Sequence, residues 1–592
     1  MRSDPKGDNL RPTLEQARHA LRNTYGYDDF RPAQIEVLQP LLEEGRDVFA
    51  ILATGLGKSV IYQIPAMLYE GTVLVISPLI ALMRDQVANC QAAGISAACI
   101  HSNMDADEIT QTVRRFVRGE YRLLYVSPER LGSGHFRNAL ASTPISIVAI
   151  DEVHAASRWG HDFRPDYMLI GRRTMGVRDV EGNRPPRLAL TATATADIQA
   201  DVARAVQLEP NHALIVGDPI RPNLHYDVRD ATSDDSACWT QLRLVARQQF
   251  HHARGRAVVY SGTTAGTEKI SQILSDMLPH LPRSNFGFYH GKMDAGMRKH
   301  MQDGFKDSSI PIMSATNAFG MGIDVPDIRT IISFGIPAGV EDYTQQTGRG
   351  GRDGGPCQCV LIADLYSREL QRRFVTAANP ELEAYAAVWT HLTDVLGVEN
   401  AEIRLSAAKL LDQMKEAQRE GPIEDPRQVD VVMQQLKSRG LIERTPIGGE
   451  SPITFEAGKL KALIPDLSPG QRTVVEYLLS LPARSTHFID KKAMAASTRL
   501  SSPTVHRILS GLRDTIVGGQ AVLTMEPAFT GSATRLTRLG SETVDVYEVI
   551  PTATIERKRT RDLRRLECMI AYSSLKGGYE DYIRGYFRGE MF

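Results

Sequence analysis

Lys58 and Ser59 close the string Leu52-Ala53-Thr54-Gly55-Leu56-Gly57-Lys58-Ser59, whose spacing suits the holding of phosphates. A short apolar run from Val48 precedes it, and Val60-Ile61-Tyr62-Gln63-Ile64-Pro65 follows. Strand, glycine turn, Lys-Ser and helix together read as a phosphate-binding loop. Around Thr54, the glycines Gly55 and Gly57 let backbone N–H groups approach phosphates with no Cβ in the way. Lys58 is expected at the β- and γ-phosphates of a nucleoside triphosphate, and Ser59 on its Mg²⁺. The helix that follows turns its positive end toward the nucleotide. Leu52 stands where the general pattern has Gly or Ala. The competing reading is a glycine-rich turn before a buried helix.

Asp151 and Glu152 supply a second set of reactive groups. They end the wholly apolar run Ile147-Val148-Ala149-Ile150 and precede Val153-His154. Such a run fits a buried central parallel strand. Carboxylates at its carboxyl end lie where open α/β sheets bind ligands. Asp151 is expected on the Mg²⁺ of ATP, and Glu152 as the group that orients and deprotonates the attacking water. An ordinary acidic loop is the alternative, weakened by the phosphate loop on an earlier strand.

Elements of the right kind surround both sets. Apolar runs at Thr72–Ile76, Leu123–Val126, Ile147–Ile150 and Leu188–Leu190 predict strands of a first lobe. Ala257–Tyr260, Phe286–Tyr289, Ile310–Met313, Thr330–Phe334 and Val360–Ile362 predict those of a second. Helical patterns alternate with them, the rhythm of two parallel α/β domains. Further on, helices dominate. Gln428–Arg439 followed by two short strands around Gly448-Gly449 suggests a winged helix. Arg472–Leu479, Lys491–Ser497 and Ser502–Leu512 have helix-turn-helix spacing, with Val522–Met525 and Thr534–Leu536 as a candidate wing. These pieces either contact DNA or only pack.

The bulk numbers exclude little. A chain of 592 residues needs several cores, roughly three to five domains. Hydrophobic content of 42% and charged content of 23% are ordinary for a soluble globular protein. A net charge of −1 requires any nucleic-acid surface to be local. No apolar stretch is long enough to span a bilayer, and Met1-Arg2-Ser3-Asp4-Pro5 lacks a signal-peptide core. Cys90, Cys99, Cys238, Cys357, Cys359 and Cys568 form no CxxC pair, so neither a zinc site nor a disulfide framework is indicated. Cys357 and Cys359 read as packing residues on one strand face. The expected location is cytoplasmic, with the nucleoid if the source is bacterial.

In order and wording, the motifs resemble RecQ DNA helicases of superfamily 2, from about Tyr25 to Gly355. The resemblance implies two tandem RecA-like parallel-sheet lobes followed by winged-helix-type and helical accessory domains. The expected divisions are 1–217, 218–375, 376–465, 466–548 and 549–592. Tyr25-Gly26-Tyr27-Asp28-Asp29-Phe30-Arg31-Pro32-Ala33-Gln34 is similar to the family's adenine-recognition motif. It implies nucleotide contact by Tyr27, Arg31 and Gln34, with Tyr27 able to stack on a purine and Gln34 offering both donor and acceptor. The string opening at Ser77-Pro78, and Ser127-Pro128-Glu129-Arg130-Leu131, resemble motifs that track the DNA backbone. Leu190-Thr191-Ala192-Thr193-Ala194 resembles the motif coupling ATP to DNA. The run from Ser157 to Tyr167 resembles the family's aromatic-rich loop. There Arg158, Trp159, His161, Phe163 and Arg164 mix rings and charges that stack bases and hold phosphates, at about 1–3 kcal/mol per stacked base. An aromatic core cluster is the other reading. Thr316, opening Thr316-Asn317-Ala318-Phe319-Gly320-Met321-Gly322-Ile323-Asp324, joins the implied nucleic-acid set. In Gln345-Gln346-Thr347-Gly348-Arg349-Gly350-Gly351-Arg352, the resemblance makes Arg352 the arginine finger and Arg349 a second γ-phosphate contact. It places Gln345 by the γ-phosphate or the attacking water.

The chain departs from the family plan after the motor. The run from Leu563 to Tyr572 and that from Tyr582 to Glu590 resemble the helices of the family's zinc piece, but follow the winged-helix candidates. Gly578 stands where the first zinc cysteine is expected, and the other cysteines are absent. The expectation is therefore no zinc, a helix pair held by hydrophobic contacts alone, and no HRDC domain. Ala53, Leu56 and Val153 also differ from the family's usual residues. The basic run Glu556–Arg565 either holds phosphates or forms a solvated helix face. The implied activity is ATP- and Mg²⁺-dependent 3′–5′ unwinding of DNA at junctions of single strand with duplex, with a strand-separating wedge near Phe529. A DNA-stimulated ATPase that remodels without unwinding is the alternative, and an RNA helicase a weaker third.

Overall fold

The structure, a computed structural model, describes residues 11–591 apart from 157–164, 234–235, 251–254, 321–324, 398–401, 448–449, 483–485, 518–519, 526–533 and 540–543. Two compact units divide it: Met1–Arg372 with Leu563–Phe592, and Arg373–Asp562.

The first unit holds both expected lobes. Lobe one is a parallel sheet of β1 (Val48–Ile51), β2 (Thr72–Ile76), β3 (Ala97–Ile100), β4 (Leu123–Val126), β5 (Ile145–Ile150), β6 (Arg187–Thr191) and β7 (Ala213–Val216). Its order is β3-β4-β2-β5-β6-β1-β7. β1, β2 and β5 are buried along their whole length, as strands covered on both faces must be. Successive side chains serve opposite cores: Phe49 and Ile51 one, Val48 and Ala50 the other. Only β6 separates β5 from β1, so Asp151 and the phosphate loop leave the same edge of the sheet as near neighbours.

Lobe two is a parallel sheet of β8 (Leu224–Asp230), β9 (Arg256–Ser261), β10 (Phe286–Tyr289), β11 (Ile312–Ala315), β12 (Ile328–Phe334) and β13 (Cys357–Ala363), ordered β10-β11-β9-β12-β13-β8. The strand expected at Ile310–Met313 runs two residues later than predicted. Cys357 and Cys359 are both buried in one core of this lobe.

The C-terminal helices return to this unit. From Leu563 onward, Met569, Tyr572, Ile583, Tyr586 and Phe587 cover Ile336, Val340, Tyr343 and Leu361 of lobe two. Hydrophobic contact is not the whole joint, which corrects the expectation. Arg565, 6% exposed, donates from Nε to Glu341 Oε1 at 3.0 Å and from Nη2 to Glu341 Oε2 at 3.2 Å. Tyr586 Oη adds a bond to Glu341 Oε1 at 2.8 Å. A buried carboxylate requires such partners, because burial alone penalises its charge.

The second unit nests one module inside another. β14 (Glu402–Leu405), β15 (Ile442–Pro446) and a late strand, Thr534–Arg538, make an antiparallel sheet over a core containing Leu410, Val432, Leu436, Leu536 and Val546. β16 (Glu450–Phe455), β17 (His487–Asp490) and the strand Leu523–Met525 make another, over Val474, Leu478, Val505 and Leu509. Within the second module, ahead of Leu523–Met525 in the chain, lies a two-stranded ribbon, β18 (Ile516–Val517) with β19 (Gln520–Ala521). The two later strands are β20 (Leu523–Met525) and β21 (Thr534–Arg538). The expected hairpins do not form among the described residues: β15 pairs with β21, and β16 with β20. A local turn makes a hairpin only when both strands face one core, and here Ile442 and Ile453 serve different ones. The helices Lys491–Thr498 and Ser502–Asp514 do form. Phe529 lies outside the described residues. Among the described residues no helix is long and apolar enough to cross a membrane.

A candidate nucleotide cleft between the two lobes

The phosphate loop turns from β1 into the helix Val60–Gln63 through Gly55 (φ 85°) and Gly57 (φ 71°), a left-handed backbone that glycine adopts without strain. Close approach adds to this at Gly55: a Cβ there would stand 3.3 Å from Arg221 Nη1, with Arg352 Cγ of lobe two at 3.4 Å. Lys58 Nζ donates to Leu52 O at 3.3 Å. Lys58, Ser59 and Thr54 line a cleft of ≈ 870 Å³ with Tyr27, Arg31 and Pro78. Tyr27 is 61% exposed and presents its ring. Arg31 Nη1 donates to Gly55 O at 2.8 Å, tying the Tyr25–Gln34 motif to the loop. Gln34 is buried, and its amide serves backbone: Oε1 accepts from Arg31 N at 2.9 Å, while Nε2 donates to Leu56 O at 2.9 Å and Gly57 O at 3.0 Å. It braces the loop and does not line the cleft.

Asp151 and Glu152 face the same cleft from the end of β5. Glu152 has a left-handed backbone (φ 49°), uncommon for a residue with a Cβ and of the kind held at functional sites. Burial and then the neighbouring Glu152 charge push the Asp151 carboxyl above its usual range. For Glu152, burial opposes the charge, but the hydrogen bond and charge of His154 outweigh it, with help from Lys58 and Arg349, and hold its carboxyl low. The two acids thus part in acidity, and the low one stays ionised and able to accept a proton. His154 is buried, 3.3 Å from Glu152 Oε2 and 2.9 Å from Thr191 Oγ1. Tyr167 Oη donates to Asp151 O at 2.9 Å from within the core.

Lobe two closes the cleft with Gln345, Arg349 and Arg352. Gly348 sits on the phosphate loop, where a Cβ would be 2.8 Å from Thr54 Cβ. Arg349 donates from Nη1 to Gly320 O, and burial lowers its pKa. Gln345 Nε2 reaches Thr193 Oγ1 at 3.4 Å, and Thr193 N donates to Thr191 Oγ1 at 3.1 Å. A line of contacts therefore runs from Glu152 through His154 and Thr191 Oγ1 to the Thr193 main-chain N–H, and from the Thr193 hydroxyl to Gln345.

The nucleic-acid candidates are less gathered. Ser77 is buried just below Pro78. Thr316 is partly buried, its N–H bonded to Tyr289 O at 3.1 Å, and it does not line the cleft. Arg158, Trp159, His161, Phe163 and Arg164 lie outside the described residues. The flanks of that run are anchored: Ala155, Ala156 and Tyr167 are buried, and Asp166 accepts from Arg173 at 2.7 Å.

Two contributors were missed in the sequence. Arg221, buried, donates to the carbonyls of Gly351 at 3.0 Å, Gly348 at 2.9 Å and Gly350 at 2.5 Å. Asn223 Nδ2 donates to Gly351 O and Gly355 O, each at 2.7 Å. Together they mould the loop that carries Arg349 and Arg352. Their signal was an arginine and an asparagine in Ile220-Arg221-Pro222-Asn223-Leu224, directly ahead of a strand.

Comparison with known proteins agrees with this geometry. Residues 31–201 match the DEAD/DEAH box helicase family and 240–354 the helicase conserved C-terminal domain. The ATP-dependent DNA helicase RecQ of Bacillus subtilis (strain 168) is 35% identical over 368 residues, covering 62% of this chain and 59% of that protein. The probable ATP-dependent DNA helicase RecS of the same organism is 35% identical over 379 residues, covering 63% and 72%. Among solved structures, DUF1998 helicase MrfA bound to DNA shares the fold at TM-score 0.50 and 16% identity, over 75% of this chain and 62% of that one. The chain spans 59% of the RecQ from B. subtilis and 53% of that from Haemophilus influenzae (strain ATCC 51907 / DSM 11121 / KW20 / Rd). With both lobes matched in order and nearly three quarters of RecS covered, the chain belongs to the RecQ family of superfamily 2 helicases.

Proposed function

We propose that the protein is an ATP- and Mg²⁺-dependent DNA helicase that moves 3′ to 5′ along one strand and separates duplex ahead of it. The observation that carries this is the single cleft lined from lobe one by Lys58, Ser59, Asp151 and Glu152, and from lobe two by Gln345, Arg349 and Arg352. Phosphoryl transfer to water needs these roles together: a phosphate cradle, a base, and positive charge on the γ-phosphate. The donor set fits a divalent cation, since Ser59 and Asp151 offer oxygen and burial leaves Asp151 in want of positive charge. Mg²⁺ held by these two would neutralise phosphate charge.

In this reading Tyr27 stacks on the base, and Lys58 and the loop amides hold the β- and γ-phosphates. Glu152 takes the proton of the attacking water as its oxygen bonds to phosphorus and the bond to ADP breaks. Arg352 and Arg349 stabilise the charge that develops. Because both arginines come from lobe two, hydrolysis requires lobe closure, and opening after hydrolysis moves the strand. Pro78, Thr316 and the Arg158–Arg164 run are the proposed DNA contacts, with the buried Ser77 supporting Pro78 from below.

The nested second unit motivates a second reading, a DNA-stimulated ATPase that remodels an assembly without displacing strands. Displacement assays on 3′-tailed and 5′-tailed duplexes, with a Glu152→Gln control, separate the two. Unwinding of the 3′-tailed substrate alone, lost in the control, is the expected result. DNA-stimulated hydrolysis with no displacement would overturn the helicase reading in favour of the second.

A further inference from the structure

We infer that Arg565 is a positioning residue for ATP hydrolysis, making the C-terminal helix pair a working part of the motor. The inference rests on the ATPase reading of the cleft.

The helix Val340–Thr347 carries Gln345 and runs straight into the Gly348–Arg352 loop. It is only two turns long, and its N-cap, Gly339, makes no side-chain cap bond. Its own length therefore does little to hold its rotation or its register. Its first turn carries Glu341 and Asp342, both buried. Carboxylates suit a helix start, but buried ones demand a cation. That cation comes from far along the chain. The Arg565 guanidinium grips both oxygens of Glu341 and lies 3.5 Å from Asp342 Oδ2. Gly339 leaves it room: a Cβ there would stand 3.0 Å from Arg565 Nη2. Tyr586 from the last helix bonds Glu341, and the rings of Tyr343 and Tyr572 meet at 5.2 Å.

The grip is transmitted to the cleft. Asn317 Nδ2 donates to Asp342 Oδ1 at 3.3 Å, and Gln346 Nε2 donates to Asn317 Oδ1 at 2.7 Å. Asn317 and Asp342 both line the cleft. Gln345 follows Glu341 by one helical turn on the same face, so a slip of one displaces the other. A two-pronged guanidinium–carboxylate pair has essentially one geometry. It sets where the helix stands, and hence where Gln345, Arg349 and Arg352 meet the phosphates. Nucleotide binding, seated mainly on lobe one, does not depend on it.

The test uses the full chain, measuring single-strand-stimulated ATP hydrolysis, affinity for a fluorescent ATP analogue, and melting temperature. Wild type and Glu152→Gln come first. An inactive wild type overturns the ATPase reading itself, whereas an active one isolates the inference. Arg565→Met is expected to lower kcat on the order of tenfold or more while the analogue's Kd stays within about threefold, with Arg565→Lys recovering part of the loss. Folded Arg565→Met with wild-type kcat would overturn the inference, as would equal losses of kcat and affinity. Should Arg565→Met not fold, Tyr586→Phe decides: a lower kcat at unchanged melting temperature supports the inference, and wild-type kcat overturns it.

Discussion

Gln345 and Thr193 touch across the lobes, Nε2 to Oγ1 at 3.4 Å. The bond is long, hence weak and easily broken when the lobes part. It closes a line that starts at Glu152, passes through His154 and Thr191, and enters Thr193 at its main-chain N–H. Thr193→Val should cut the stimulation of ATP hydrolysis by single-stranded DNA about two- to fivefold, the worth of one weak hydrogen bond of about 0.5–1 kcal/mol. The ratio of rates with and without DNA is the measurement. An unchanged ratio would remove Thr193 from the coupling.

Arg221 predicts a linked loss of stability and turnover. Arg221→Met strips three carbonyls of the arginine loop of their donor. The expected cost is roughly 3 kcal/mol, since bonds to charged groups are worth about 1.5–3 kcal/mol and buried orphans add to the bill. Urea unfolding should show that loss together with a lower kcat. A stable variant with normal turnover would mean that the loop holds its own shape.

Asp151 illustrates function bought against stability. Burial and the adjacent Glu152 raise its carboxyl to about 6, whereas an unfolded chain titrates at about 3.9. Between those values the folded state binds more protons, so stability falls as pH rises through the window. At neutral pH the ionised group is a burden. Asp151→Asn should melt higher than wild type at pH 7 in the absence of nucleotide, lose that advantage below about pH 4, and hydrolyse no ATP. Melting curves across pH test the sign.

Zinc should play no part. Gly578, where a zinc cysteine was expected, is the left-handed N-cap of the Tyr579–Arg588 helix (φ 69°), a backbone that a cysteine would strain. Elemental analysis of purified protein should find far less than one zinc per chain, and a chelator should leave the melting temperature unchanged. Stoichiometric zinc would refute this.

The lobes were legible because their strands are continuous apolar runs ending in reactive residues, a signal local to each strand. Thr72–Ile76, Leu123–Val126 and Phe286–Tyr289 match residue for residue. The phosphate loop and Asp151-Glu152 were legible for the same reason, and the cleft brings them together. What stayed hidden depends on distant partners. The strands near Gly448 and Ala528 look like hairpin arms, yet each pairs with a strand far away in sequence. Arg565 sits in a basic run that read as solvent-facing or phosphate-binding, and only the fold shows it spent on Glu341. Lys558, in the same run, bonds Asp562 at 2.8 Å. Gln34 carried the donor and acceptor that a purine needs, but the structure turns both toward backbone.

The pairing of β15 with β21 brings Pro446 opposite Thr534, so everything between them emerges from one pair of adjacent strand ends. In effect the host sheet holds a hairpin whose loop has grown into a module with its own core. Beyond that stem the described residues tie it to the host through Arg404 of β14, which lies 3.5 Å from Glu450 and 3.9 Å from the Phe488 ring. Joining residue 446 to 534 by a two-residue type I′ turn would restore an ordinary hairpin in the host, with Arg404 left to solvent. The motor and the host could then be studied with the graft removed, or with a different one in its place.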